Sequence, residues 1–103
     1  MTTQTELMQW ELDGEIKTPG KLVARYGISQ ACADGLGRYV VHRYETGSFL
    51  GAVLANNLKQ AVIFADDQNV HLLPQYVEIM RFDLPPACHG SPERVKAWLE
   101  QES

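Results

Sequence analysis

The sequence predicts an all-α domain, with four to five helices packed around one central helix over residues 47–65. Three observations point there. In residues 46–66, Leu50, Val53, Leu54, Leu58, Ala61, Val62 and Ala65 recur at three- and four-residue steps, which stacks them on one side of a helix. Ser91-Pro92-Glu93 opens a further helix with a capping hydroxyl, a proline suited to the first turn and an acid at the positive end of the helix dipole. Gly27 followed by Ser29 reads as the stop of one helix and the cap of the next.

Taken in order, residues 1–20 allow two readings. Thr5 can cap a short helix through 6–12, with Gly14 beyond its end. Alternatively, Asp13-Gly14 makes a hairpin turn, with Met8, Trp10 and Leu12 alternating inward. The helix is the preferred reading, and Thr18-Pro19-Gly20 is a turn in both. A short helix then runs over 21–26, with Leu22, Val23 and Tyr26 on one side. Ser29 caps a second running to about Glu45, with Cys32, Leu36, Tyr39, Val40 and Tyr44 as its apolar residues. Gly35 and Gly37 weaken that helix by about 1 kcal/mol each relative to alanine, unless they admit a close neighbour.

Thr46 or Ser48 supplies the cap of the central helix, and Gly47, Gly51 and Ala55 form a smooth strip along it for another backbone. Asp66 or Asp67 caps a helix over 68–83, with Val70, Leu73, Tyr76, Val77, Met80 and Leu84 facing in. Pro74 predicts a break near Leu73. Pro85-Pro86 sets an extended linker to Gly90. Val95, Trp98 and Leu99 anchor the last helix. The organisation expected is one domain: an N-terminal segment (1–20), a helix-turn-helix-like pair (21–45) and a core (46–100).

Charge narrows the function classes. The net charge of −4 is unevenly spread. Residues 1–15 hold four acids and no base, and residues 16–44 hold Lys17, Lys21, Arg25, Arg38 and Arg43 against Asp34 alone. Residues 60–103 hold seven acids against three bases. Overall acidity disfavours general phosphate-backbone binding and suits a protein partner with a basic surface. No basic and apolar leader opens the chain, and no apolar run reaches the ~18 residues of a membrane span. A bacterial cytoplasmic protein with Cys32 and Cys88 as free thiols is expected, without a membrane partner.

Candidate sites are few. Residues 21–29 resemble the first half of a helix-turn-helix, so Lys21, Arg25, Gln30, Arg38 and Arg43 are the candidate nucleic-acid contacts. The would-be recognition face, Gln30, Ala31, Ala33, Asp34 and Gly35, carries no Arg, Lys or Asn for a base edge. Cys32, His42, His71, Cys88 and His89 lack the paired short spacings of a zinc site, so no metal and no cofactor are expected. Cys88 or Ser91 with His89 or His71 is the only constellation for nucleophilic catalysis, and nothing in its spacing supports activation. On the central helix, Asn56, Lys59, Gln60 and Ile63 fall on the rim of the apolar stripe, where polar groups beside an apolar residue suit a protein interface.

Residues 46–61 (Thr-Gly-Ser-Phe-Leu-Gly-Ala-Val-Leu-Ala-Asn-Asn-Leu-Lys-Gln-Ala), 65–69 (Ala-Asp-Asp-Gln-Asn) and 86–99 (Pro-Ala-Cys-His-Gly-Ser-Pro-Glu-Arg-Val-Lys-Ala-Trp-Leu) together resemble a family of short uncharacterised proteins of phages, prophages and other mobile elements. The resemblance covers about residues 36–100. It brings no activity or catalytic residue, and it implies a small accessory protein made in a bacterial host. The expected function is therefore non-enzymatic: binding a host protein, such as a defence complex (an anti-CRISPR-like role) or a regulator. A second copy of the chain is a further candidate partner. The alternatives are a DNA-binding regulator using residues 21–44, and an enzyme with a Cys/His site.

Overall fold

The structure, a computed structural model, describes residues 8–101. It is mostly helical, with one small sheet. Strands β1 (Trp10–Leu12) and β2 (Glu15–Lys17) pair antiparallel, with Trp10 opposite Lys17 and Leu12 opposite Glu15. Asp13 (φ 54°) and Gly14 (φ 81°) both take left-handed backbone. That is the two-residue turn whose twist suits a hairpin, and Asp-Gly is a preferred pair for it. Over 10–12 the hairpin therefore replaces the preferred N-terminal helix. The cap assigned to Thr5, and Glu6 and Leu7, lie outside the described residues.

Six α-helices follow among the described residues. Helix α1 (Pro19–Tyr26) starts earlier than expected, because Thr18 is not a turn residue but the cap: its Oγ1 accepts the Lys21 N–H at 3.2 Å, and Pro19 fills the first turn. It ends as predicted at Gly27 (φ 74°), whose N–H donates to the Val23 carbonyl. Helix α2 (Gln30–His42) opens with the Ser29 hydroxyl accepting the Cys32 N–H. It stops before Glu45 because Arg43 turns left-handed (φ 60°), so Tyr44 lies past the helix and is exposed rather than packed.

The expected helix over 47–65 is two helices, α3 (Ser48–Leu54) and α4 (Leu58–Phe64). Asn56 is left-handed (φ 61°), and the Asn57 side chain accepts the Gln60 N–H to start α4 afresh. Asparagine tolerates that backbone better than other residues with a side chain, and it also caps helices well, so Asn-Asn spells a stop and a start. No side-chain hydroxyl caps α3. Gly47 occupies the cap position, so neither Thr46 nor Ser48 does.

A 3₁₀ turn (Asn69–Leu72), started by Asp66 Oδ1 accepting the Asn69 N–H at 2.7 Å, leads into α5 (Leu73–Phe82). Pro74 thus sits in a first turn, and the break near Leu73 is where the sequence put it. Tyr76 and Ile79 face in, whereas Val77, expected inward, is exposed. A second 3₁₀ turn (Pro86–Cys88) replaces the extended linker. Then α6 (Pro92–Glu100) begins with the Ser91 hydroxyl accepting the Arg94 N–H.

Helix α3 is the hub, touching α2, α4, α5 and α6, while α1 lies across α2 and α5. Leu36, Tyr39, Leu54, Tyr76, Ile79 and Leu84 fill the core between them. The expected Gly47/Gly51/Ala55 strip admits no backbone: a Cβ on Gly47 would meet nothing within 4 Å, and one on Gly51 only the Thr46 hydroxyl at 3.5 Å. The close approach is on α2 instead, where a Cβ on Gly37 would lie 2.9 Å from Pro19 and 3.3 Å from Met8. Gly37→Ala should therefore destabilise by about 1–3 kcal/mol through overpacking. Gly51→Ala, with room and helical backbone, should stabilise by about 0.5–1 kcal/mol. Urea unfolding of both variants checks the opposite signs.

Candidate interaction surface

Helix α4 buries little. Ala61 is its buried residue, while Leu58 is 70% exposed, Ile63 58%, Phe64 50% and Val62 46%. Leu58 and Val62, expected in the core stripe, are outside because the break at Asn56 redirects the chain and lets α4 touch α3 along one edge. Lys59 and Ile63, four residues apart, share the outward side opposite Ala61. Of the residues expected on this rim, Asn56, Lys59 and Ile63 are exposed, and Gln60 is half-buried. Four large exposed apolar side chains are thus concentrated on one seven-residue helix, where exposed apolar surface can mark an interaction site. At its C-terminal end, Phe64 borders a groove of about 450 Å³ that is also lined by Ala31, Cys32, Arg38 and Phe49.

The candidate nucleic-acid contacts disperse. Lys21 donates from Nζ to the Ile16 carbonyl at 2.8 Å, and Gln30 donates to Asp34 Oδ1 at 2.8 Å. Arg38 lines the groove beside Phe64. The Arg43 guanidinium lies 3.4 Å over the Trp98 ring and donates to the Val40 carbonyl. A Cβ on Gly35 would come within 3.2 Å of Leu50, so α3 already covers part of the would-be recognition face of α2.

Arg25 belongs to a polar cluster that sequence reasoning missed. Asp83, 1% exposed at the end of α5, takes Lys17 Nζ at 2.6 Å and Arg25 at 3.6 Å on Oδ1, and the Tyr26 hydroxyl on Oδ2. Its main-chain carbonyl accepts the Trp10 indole N–H at 2.6 Å. Glu15 closes the cluster 3.0 Å from Lys17. A cleft of about 630 Å³ opens beside it, between the hairpin, α1 and α5. Both cations there are already engaged by acids of the chain, which makes the cluster a clasp for the hairpin. The partners lie 57 to 73 residues apart, so no local spacing signals them.

Among the Cys/His positions, Cys88 lacks the surroundings of an activated thiol. Cys88 is buried, and burial pushes its thiol up to about 12, the opposite of a thiolate at neutral pH. Burial also holds His89 below its ordinary value. His71 is exposed on the first 3₁₀ turn, and Cys32 is half-buried on α2. Both cysteines are free thiols. Among the described residues, no group of three or more His, Cys, Asp or Glu could hold a metal ion, and no helix is long and apolar enough to cross a membrane.

No family model matches the chain. No curated protein matches it either. Nor does any solved structure.

Proposed function

We propose that the chain is a small non-enzymatic binding protein that meets a protein partner across α4. The supporting observation is that α4 leaves Leu58, Val62, Ile63 and Phe64 exposed around Lys59, with Ala61 alone buried. A helix so placed contributes little to its own core, and apolar surface of that extent is costly in water unless something covers it. The resemblance to mobile-element proteins gives the setting: an accessory protein of a bacterial host cell, with a host defence complex or regulator as the target. The test compares capture from a bacterial host lysate, at physiological salt, by the wild type and by Ile63→Glu. Ile63 is exposed, so the variant should keep its circular dichroism and its melting point. A protein retained by the wild type and lost by the variant supports the reading. Identical retention by both, or none by either, counts against it.

DNA binding through α1 and α2 is the second reading, on the strength of the Gly27 junction between them. Lys21, Arg25, Gln30 and Arg43 are engaged within the chain, Arg38 lines the groove beside Phe64, and α3 leans on the recognition face. A salt-dependent gel shift lost on Arg25→Ala and Arg38→Ala would reinstate it. Absence of any shift at low salt removes it.

A further inference from the structure

We infer that the groove between α2, the start of α3 and the end of α4 binds a free α-amino acid with an aromatic or large aliphatic side chain. This goes beyond the α4 reading and does not depend on it. The first observation is Arg38. Among the Lys and Arg side chains drawn in from solvent, Lys17 is paired with Asp83, and Arg43 lies over Trp98 with a bond to the Val40 carbonyl. Arg38 is half-buried on α2 and lines the groove, and its guanidinium has no ion pair, hydrogen bond or ring contact among the described residues. A guanidinium so placed loses hydration without replacing it. A carboxylate makes good the loss best, through parallel hydrogen bonds to its fork of N–H donors.

The second observation is how the charges are held. Glu45 and Asp66 line the same groove, yet neither forms an ion pair with Arg38. In the clasp at Asp83, by contrast, opposite charges close to 2.6 Å. Asp66 spends Oδ1 on the Asn69 N–H, and its second oxygen has no partner among the described residues. A simple anion such as phosphate would gain from Arg38 and be repelled by both acids. A simple amine would gain from the acids and be repelled by Arg38. An α-amino acid carries both charges on one carbon, so its carboxylate meets Arg38 while its ammonium meets Asp66 or Glu45.

The third observation is the apolar wall of Phe49, Leu50 and Phe64. Phe49 is fixed from the core by an edge contact with Tyr76, ring centroids 5.2 Å apart at 80°, while Phe64 is 50% exposed. One fixed ring and one open ring on the same groove suit an inserted apolar side chain, an aromatic one above all. At about 450 Å³ the groove lies near the small end of ligand sites, which span about 300–1,000 Å³.

The test is a titration of the isotope-labelled full chain with L-phenylalanine to millimolar concentration, followed by amide chemical shifts. Saturable shifts should gather on residues 46–50 and 64–69 and leave α6 unmoved. N-acetylphenylalanine, which lacks the ammonium, and phenylethylamine, which lacks the carboxylate, should each bind about tenfold more weakly or worse, the worth of hydrogen bonds to a charged group. Glycine, which has no apolar body, should not saturate. Arg38→Gln should weaken phenylalanine by about tenfold and leave phenylethylamine no weaker, a change of preference that a loosened fold would not produce. Phe64→Ala, at an exposed position, should weaken phenylalanine several-fold with an unchanged circular dichroism spectrum. No saturable shift with L-phenylalanine, shifts gathered elsewhere, or equal binding of either one-charge analogue overturns the inference. So does an Arg38→Gln protein that binds phenylalanine as the wild type does.

Discussion

Asp83→Ala is expected to destabilise the fold by on the order of 3–5 kcal/mol, the cost of leaving a buried charge without its partner. The carboxylate is 1% exposed and holds Lys17 at 2.6 Å, with the Tyr26 hydroxyl on its other oxygen. Its removal strands an ammonium that is itself only 5% exposed and leaves it the single, exposed Glu15. For a chain of about 100 residues such a loss lowers the melting temperature by roughly 15–30 °C. Asp83→Asn should cost less, since the amide keeps the volume and can still accept a hydrogen bond. Urea titrations of both variants check the order, and a loss below about 1 kcal/mol for alanine would show that the clasp is ornamental.

The pH dependence gives the same cluster a second readout. Burial pushes the Lys17 ammonium down, but its hydrogen bonds to Asp83 and Glu15 outweigh this and hold it above 10.5. Tyr26 is raised to about 12, by burial first and then by Asp83. Both groups bind their protons more tightly folded than unfolded. Their stabilisation is therefore complete below the unfolded values and fades as pH climbs through the folded ones. Glu15 runs the other way: the hydrogen bond from Lys17 lowers it, so its contribution is present above about 4.5 and fades as pH falls. In Asp83→Ala, burial of Lys17 is opposed by Glu15 alone. The Lys17 share of the fall in stability above about pH 10 should then shrink or reverse, while the share from Tyr26, raised first by burial, remains.

How much of this is readable from the chain depends on how far each signal reaches. Ser29, Gly27, Ser91 and Pro74 act within one helical turn, and their elements begin, end or break where those residues stand. Two local signals carry more weight than the apolar period grants them. Asp13-Gly14 overrides the helical spacing before it, and Asn56-Asn57 overrides the apolar period running through it, because left-handed backbone cannot continue a helix. That period places Leu58 and Val62 in the core, and the break is what turns them to solvent. The outward positions it gives Lys59 and Ile63 are exposed in the structure. The Lys17–Tyr26–Asp83 cluster is out of the sequence's reach, since Lys17 and Asp83 alone look like solvated side chains and Tyr26 reads as part of an apolar helix face. Only the packing of the hairpin, α1 and α5 makes them neighbours.

Trp98→Ala is expected to be comparably severe, about 3–5 kcal/mol, and for a different reason. Helix α6 is nine residues long and fully buries Trp98 alone, so this ring is its anchor. The indole N–H donates to the Tyr39 carbonyl at 3.0 Å, and the Tyr39 hydroxyl donates to the Cys88 carbonyl at 2.6 Å. One side chain therefore ties α6 to α2 next to the tie between α2 and the second 3₁₀ turn. The ring also holds the Arg43 guanidinium 3.4 Å from its centre. Arg43 is left-handed, a conformation that costs a side-chain-bearing residue about 1–2 kcal/mol, and the stack offsets part of that cost. Amide hydrogen exchange should locate the damage: α6 should lose protection in Trp98→Ala, while α2 and α3 keep theirs in native conditions. Trp98→Phe should retain most of the burial and lose only the N–H and part of the stack, at about 1–2 kcal/mol. Arg43→Gly separates backbone from stack. In the wild type the relief of the left-handed backbone opposes the lost stack, so the change should be small. In Trp98→Ala there is no stack to lose, so the same substitution should stabilise. If it has the same effect in both backgrounds, the guanidinium and the ring are neighbours without being coupled, and the anchoring of α6 rests on burial alone.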